Sequence, residues 1–258
     1  MTDSDFASSG STGAEDERRF LASYDPSAFD RPSLAVDVVI LSVIERRLEV
    51  VLVERREHPH RGRWALPGGF VHLDESLGQA AKRVLEQKAG LKNVYLEQLY
   101  TFGDPARDPR TRVVSVAYVA LVDPERLRNL PPSPAPSTIR AVLDVPWTGE
   151  TGGAVEAAWP AGKTLELAFD HADILGMAVK RIRGKLSYTP IGFQLLPETF
   201  TLRRLQDVHE TVLGRSLNKD SFRRRMLASE LLEATGERES EVGHRPAELY
   251  RIVKRSAL

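Results

Sequence analysis

The residues of this chain that could carry out chemistry lie between Gly68 and Leu91, in the stretch GGFVHLDESLGQAAKRVLEQKAGL. A glycine turn leads into a pattern with helical spacing, predicted to form a helix from about Asp74 to Lys88 and to end at Gly90. A turn followed by a helix suits the binding of a phosphate. Cleavage of that phosphate would also need carboxylates on the helix to hold a divalent metal ion.

The spacing of this stretch resembles the Nudix box, G-x5-E-x7-R-E-U-x-E-E-x-G-U, in which U is an aliphatic residue. The positions that match the box are Gly69, Glu75, Arg83, Leu85, Gly90 and Leu91, and WALPGGFV directly precedes them. The resemblance implies a Nudix fold, a mixed sheet between helices, for about residues 33 to 150. We therefore expect an α+β protein.

The chain departs from the family at the residues that matter for catalysis. In the family three glutamates of the helix hold the metal, and here those positions carry Val84, Gln87 and Lys88. Glu86 cannot replace them, because at about 100° per residue it points roughly 150° away from that face. Lys88 would also repel Mg²⁺ by several kcal/mol if the site were partly desolvated. We expect no metal site, no catalytic residue and no cofactor.

Two interpretations of this stretch remain open. The box could be only a fold element, in which Glu75 and Arg83 tie the loop to the helix. We favour a pocket that binds a nucleoside diphosphate without cleaving it, with Lys88 as the counter-charge. The candidate ligand-binding residues are Arg55, Gly68, Gly69, Glu75, Arg83 and Lys88, together with Arg107, Arg110 and Arg112 from a later loop. The loop arginines could instead pair with Asp104 and Asp108 at the surface.

Composition narrows the function classes. The 258 residues include 36 Lys+Arg and 36 Asp+Glu, so overall charge indicates neither nucleic-acid nor membrane binding. The absence of cysteine excludes disulfides and thiolate catalysis, and the six histidines show no metal-binding spacing. No apolar run suits a membrane span or a signal core, so we expect a soluble, cytoplasmic protein.

The elements around the box can be placed coarsely. Residues 1–32 are small and polar and predict a disordered lead-in. Strands are predicted in LAVDVVILSVI, LEVVLVERR, VYLEQLYTF and RVVSVAYVALV, and an exposed connection in LPPSPAPST. Residues 151–190 are predicted to connect two domains and to include a helix from 170 to 186, capped by Asp170.

Residues 191–258 predict a winged helix: helix, turn, helix and hairpin, with Thr201 and Asn218 capping the helices. Between Arg215 and Ala228 there are five basic residues and one acid, a net charge of +4 that suits DNA. The acidic tip GERESE counts against deep insertion of the wing, and the helix could instead be a protein contact. The candidate DNA-binding residues are Lys219, Ser221, Arg223, Arg224, Arg225, His244 and Arg245.

The chain resembles the Nudix-related transcriptional regulators, the NrtR family. The resemblance rests on a Nudix box without its metal-binding glutamates and on four later stretches: LAFDH, LLPETFTLRRLQDVHE, FRRRM and GHRPAELYR. The resemblance implies a homodimeric repressor of NAD metabolism genes that binds a palindromic operator in double-stranded DNA and senses ADP-ribose or a related nucleotide or sugar metabolite. We expect the helix 170–186 to transmit the ligand signal.

Two rival classes remain. One is an active pyrophosphatase acting on ADP-ribose-like nucleoside diphosphates, with Glu97, Asp104 or Asp108 as its carboxylates. The other is a nucleotide-sensing interaction protein that does not bind DNA.

Overall fold

The structure is a computed structural model that describes residues 9–128, 138–240 and 246–253. It contains two compact units, of which the smaller ends at Pro32. In this unit, helix α1 spans Ser9–Ser23 and a 3₁₀ turn spans Pro26–Ala28. This differs from the expected disordered lead-in, because AEDERRFLA consists largely of strong helix formers. All the side chains described in this unit, from residue 13 to residue 32, are exposed, so among them no burial supports the helix.

The second unit is built on a mixed sheet, which confirms the α+β fold class. The sheet order is β5-β6-β1-β2-β7-β8, with β3 paired to β2 and β4 paired to β1. Strand β1 runs parallel to β6 and antiparallel to β2. The strands are β1 Ser33–Ile44, β2 Arg47–Glu54, β3 Trp64–Ala65, β4 Gly68–Phe70, β5 Tyr95–Phe102, β6 Val113–Leu121, β7 Thr138–Asp144 and β8 Glu156–Ala158.

Helices cover both faces of this sheet. Because successive strand residues point to opposite faces, Val38 and Ile40 pack in a cluster with helix α2, Leu77–Ala89, and Val39 and Leu41 in another with helix α4, His171–Lys185. A short helix α3, Pro124–Arg128, lies on the α2 side. Burial on both faces explains why β1 is a nearly continuous apolar run.

The C-terminal elements have the predicted winged-helix order. They are α5 Leu202–Leu213, α6 Lys219–Ala228, β9 Leu232–Arg238 and β10 Glu248–Ile252. Both predicted caps are confirmed: Thr201 accepts from the backbone N–H of Arg204, and Asn218 from that of Ser221. Leu205 and Phe222 belong to the same buried cluster as Leu41 and Leu175, so the winged helix and the sheet share a core.

Two predicted boundaries need correction. Helix α2 begins after Ser76 rather than at Asp74, because Ser76 and Gln79 form a capping box. Asp170 precedes α4 but makes no cap hydrogen bond, since its carboxylate is engaged elsewhere. The proline-rich connection lies outside the described residues, apart from Thr138. Residues 241–245 of the predicted wing, which include the last residue of the acidic tip GERESE, also lie outside them. Among the described helices, none is long and apolar enough to cross a membrane.

Candidate functional site

Two adjoining cavities open beside the short strand β4, which pairs antiparallel with β1. We call the first, about 220 Å³, the aromatic cavity, because Phe70 and Phe169 line it. The second, about 430 Å³, is the lysine cavity, lined by Gln87 and Lys88 of α2. Together they form one cleft, because both are lined by Arg55, Glu57, Ala65, Leu66 and Gly68.

The floor of the cleft leaves no room for a side chain at Gly68. A Cβ atom there would lie 2.3 Å from Asp37 Oδ1 and 2.9 Å from the carbonyl oxygen of Val36. Asp37 is 8% exposed, and its Oδ2 accepts a 2.6 Å hydrogen bond from Ser115 Oγ. At Gly69 the nearest atom to a Cβ would be Val84 Cγ2, at 3.6 Å. Only the first of the two glycines is therefore needed for close approach.

Arg107 is a buried part of this floor. Its guanidinium donates two hydrogen bonds to Asp170, of 2.8 Å from Nε and 2.7 Å from Nη2, and Nη2 lies 3.5 Å from Asp37 Oδ2. Burial disfavours its charge, but the carboxylates of Asp170 and Asp37 outweigh that effect and raise the pKa of Arg107. The residue lies on the loop between β5 and β6 and lines the aromatic cavity, but its side chain is buried and its charge is neutralised there.

His171 connects the cleft loop to α4. Its Nδ1 accepts a 2.9 Å hydrogen bond from the backbone N–H of Leu66, and its Nε2 lies 3.7 Å from Asp37 Oδ1. Burial lowers the pKa of His171, so the imidazole is neutral. Since Nδ1 accepts, the proton of the neutral ring is on Nε2 and faces Asp37.

Arg55 and Arg110 line the aromatic cavity, each against a ring. The Cζ of Arg55 lies 4.7 Å from the ring centroid of Phe169, and that of Arg110 lies 5.8 Å from the ring centroid of Phe70. Burial and then the charge of Arg110 lower the pKa of Arg55. Arg110 forms a bidentate pair with the buried Asp108, at 2.8 and 3.0 Å. The pairing that we considered for the loop arginines thus occurs at Arg110.

Three of the predicted ligand residues line neither cavity. Arg112 is exposed and lies beyond both. Glu75 accepts from Arg83 at 2.5 and 2.9 Å and from the N–H of His72 at 2.9 Å, while Arg83 also donates to the carbonyl of Phe70. The hydrogen bonds from Arg83 and His72 lower the pKa of Glu75 to about 2. Glu75 and Arg83 therefore tie the loop to α2, as the fold-element interpretation expected.

The structure shows what surrounds Val84, Gln87 and Lys88, the three helix positions that carry glutamate in the Nudix box. Val84 is 1% exposed in the core, whereas Gln87 and Lys88 face the lysine cavity. Glu86 points away and pairs with Lys92. Across the described part of the chain there is no cluster of three or more metal-binding side chains.

The carboxylates of the rival pyrophosphatase interpretation are also engaged. Glu97 pairs with Lys185 of α4, with both oxygens at 2.6 Å, and it lines neither cleft cavity. Asp104 accepts from the N–H of Ala106, and Asp108 is held by Arg110.

The candidate nucleic-acid interface is the outer face of α6. Phe222 is buried against His209, with ring centroids 5.1 Å apart, so the opposite side of the helix is solvent-exposed. The predicted residues Lys219, Ser221, Arg223, Arg224 and Arg225 are all exposed. His244 and Arg245 lie outside the described residues. A cavity of about 570 Å³ between α5, α6 and the hairpin is lined by four basic residues, Arg203, Lys219, Arg223 and Arg238.

Sequence reasoning missed several of the contributing residues. Asp37, Phe169 and His171 line the aromatic cavity, and Arg203 and Arg238 line the basic one. A usable signal existed for Asp37, because a single carboxylate within a continuous apolar strand needs a buried partner.

Helix α4 physically joins the cleft to the winged helix. At its beginning, His171 holds the cleft loop. Near its end, the buried Arg183 donates 2.8 Å to the carbonyl of Val212 in α5 and 3.0 Å to that of Trp147. Gly176 lets the loop before β8 pass directly over the helix, since a Cβ there would lie 1.8 Å from the carbonyl oxygen of Gly153.

A Nudix-type cleft joined to a winged helix defines a class of ligand-sensing DNA-binding proteins, and comparison with known proteins identifies the family. The NUDIX domain family matches residues 33–148, and the NrtR DNA-binding winged helix domain family matches residues 192–252. The ADPR responsive transcriptional repressor NtrR of Acinetobacter baylyi is 38% identical over 238 residues, which cover 92% of this chain and 88% of that protein. The chain therefore belongs to the NrtR family of Nudix-related transcriptional regulators.

Solved structures are similar over most of the chain. Shewanella oneidensis NrtR complexed with a 27mer DNA is 34% identical, with a TM-score of 0.68, over 85% of this chain and 93% of that one. A MutT/nudix family protein from Enterococcus faecalis is 27% identical, with a TM-score of 0.75, over 96% of this chain and 100% of that one.

Proposed function

We propose that this chain is a DNA-binding transcriptional repressor whose Nudix cleft binds ADP-ribose or a related nucleotide or sugar metabolite. The observation that carries the proposal is the path from cleft to DNA-binding domain. His171 at one end of α4 contacts the cleft loop, and Arg183 near the other end contacts α5. A ligand that prefers one arrangement of the cleft can thereby alter the position of the winged helix.

The cleft suits a nucleotide diphosphate chemically. Arg55 and Lys88 supply positive charge, and the exposed ring of Phe70 and the partly buried ring of Phe169 supply apolar faces for a base or sugar. The similarity to an ADPR responsive repressor favours ADP-ribose among such ligands. Residues 33–150 then form the ligand-binding domain, residues 151–190 the connection and residues 191–258 the DNA-binding domain.

The bound nucleotide is not cleaved in this proposal. Val84 is buried among apolar side chains, and Lys88 places a cation where the family binds its metal. A binding site that does not consume its ligand can report the ligand's concentration.

DNA binding involves a homodimer in this proposal. Two copies would present their α6 helices to two half-sites of a palindrome, spaced about 34–36 Å apart or a multiple of that distance. The implied targets are NAD metabolism genes.

A thermal-shift measurement tests the ligand. ADP-ribose, NAD and sugar phosphates are compared, and a ligand at 100 times its Kd should add about 2.7 kcal/mol of stability. A gel shift with the region upstream of the chain's own gene tests DNA binding and separates the repressor from a protein that only binds nucleotide. The absence of any shifted complex would contradict the proposed function.

Product analysis tests the pyrophosphatase alternative. The chain is incubated with ADP-ribose and Mg²⁺, with an active Nudix pyrophosphatase as the positive control. We expect intact ADP-ribose, and steady release of AMP would show that the cleft is catalytic.

A further inference from the structure

The turn between β1 and β2 carries an unusual pair of residues. Glu45 and Arg46 have positive φ angles of 49° and 61°. Two-residue hairpin turns of this kind favour Asn-Gly, because a Cβ atom is strained in the left-handed region. A glycine at position 46 would therefore adopt this backbone conformation with less strain than Arg46 does. A strained non-glycine residue at such a turn points to a role for its side chain.

The Arg46 side chain reaches the winged helix. Its Nη2 donates to Glu210 Oε2 at 3.0 Å, and its Nη1 lies 2.9 Å from Asp207 Oδ1. Both acids are on α5, the helix that precedes the DNA-binding helix α6. The arginine side chain is 52% exposed and that of Glu210 only 9%. The ion pairs therefore join the tip of the ligand-domain hairpin to a partly buried acidic patch on the DNA-binding domain.

Glu210 also holds the turn that positions α6. Its other oxygen, Oε1, accepts from the N–H of Leu217 and from Gln206 Nε2, both at 2.9 Å. Leu217 directly precedes Asn218, the cap of α6. The Leu217 N–H and the Gln206 amide lower the pKa of Glu210, which keeps it ionised. One carboxylate thus contacts Arg46 with one oxygen and the turn before α6 with the other.

Strand β1 connects this contact to the cleft. Asp37 in the cleft floor and Arg46 are nine positions apart along one chain segment, a distance of about 30 Å at roughly 3.3 Å per strand residue. We propose that Arg46 is a positioning residue that couples the ligand state of the cleft to the placement of α6 through Glu210. This route is separate from α4, and it rests on the proposed function.

The test compares operator affinity with and without ADP-ribose, measured by fluorescence anisotropy on the upstream duplex. Arg46→Gly removes the side chain but suits the turn, so the fold is retained. Lys92→Ala removes a surface ion pair that stays within the Nudix domain and is the matched control. In wild type, ADP-ribose should change operator affinity about 5- to 150-fold. In Arg46→Gly the ratio of operator affinities without and with ADP-ribose should fall by at least about fivefold. If the wild-type ratio is itself below about five, the ratio in the variant should fall to one.

Two further readouts separate positioning from a structural role. ADP-ribose affinity without DNA should stay within about twofold in Arg46→Gly, because the residue does not touch the cleft. Arg46→Lys, which can still pair with one acid, should restore part of the ratio. A wild-type ratio in Arg46→Gly would overturn this inference and leave the proposed function intact. A wild-type chain that binds neither DNA nor ADP-ribose would overturn both.

Discussion

Asp170 and Arg107 form a bidentate ion pair in the floor of the cleft, with N–O distances of 2.7 and 2.8 Å. The sequence pattern predicts that Asp170 caps a helix and that Arg107 contacts a phosphate. The pair instead fixes the start of α4 against the loop that precedes β6. Because Asp37 also lies 3.5 Å from Arg107, the guanidinium is neutralised and acts as a brace within the fold.

Removal of Arg107 should therefore destabilise the chain. Arg107→Ala leaves the buried Asp37 and the partly buried Asp170 without their cation, and breaking a buried pair in this way costs about 3–5 kcal/mol of unfolding free energy. Urea unfolding followed by circular dichroism measures the change. Arg112→Ala is the control, since the exposed Arg112 lies outside the cleft and should change stability by less than about 0.5 kcal/mol. Equal stability of the two variants would contradict the bracing role.

The two neighbouring glycines should respond differently to the same substitution. Gly68→Ala forces a Cβ against Asp37 Oδ1 and should cost about 1–3 kcal/mol of unfolding free energy, as overpacking does elsewhere. It should also weaken ADP-ribose binding, because Asp37 must shift. Gly69→Ala finds its nearest neighbour at 3.6 Å and should stay within about 0.5 kcal/mol. Urea unfolding and calorimetric titration measure both effects, and a more disruptive Gly69→Ala would contradict this geometry of the cleft floor.

The sequence predicted those features that depend on neighbours in the chain. The apolar run of β1 and the caps at Thr201 and Asn218 follow from local spacing, and the structure confirms them. Asp170 was misassigned because its partner lies 63 positions away at Arg107. His171 was missed for the same reason, since its bond to Leu66 spans 105 positions. Pairings of this length depend on how strands and helices pack, which local spacing does not encode.

The DNA-binding assignment of α6 predicts a change in salt dependence. Arg224→Ala combined with Arg225→Ala should weaken operator binding and reduce the slope of log K against log salt by about 1 for each phosphate that the protein no longer neutralises. The fold should persist, because both side chains are exposed. Lys82→Ala with Lys92→Ala removes the same charge from the Nudix domain and should leave the slope unchanged. Anisotropy titrations over a range of salt concentrations measure it. Operator binding unaffected by the arginine pair would remove α6 as the recognition helix.

His209 should make the DNA-binding domain sensitive to mild acid. It is buried beneath α6 against Phe222, and burial, with a smaller effect of Arg225, lowers its pKa from 6.5 to about 4. The unfolded chain therefore takes up a proton below pH 6.5 that the folded chain does not bind until about pH 4. Stability is full above pH 6.5 and falls as the pH is lowered through this window, by about 2 kcal/mol between pH 7 and 5.

His209→Gln removes this titration and should reduce the loss of unfolding free energy between pH 7 and 5 by about the same 2 kcal/mol. The quantity to compare is the difference between the two pH values, measured by urea unfolding, so a constant cost of the substitution does not matter. Burial also lowers the pKa of His171, which adds acid sensitivity in wild type and variant alike. An identical pH dependence in wild type and His209→Gln would show that His209 is protonated in the folded protein at pH 5, and hence that its site beneath α6 admits water.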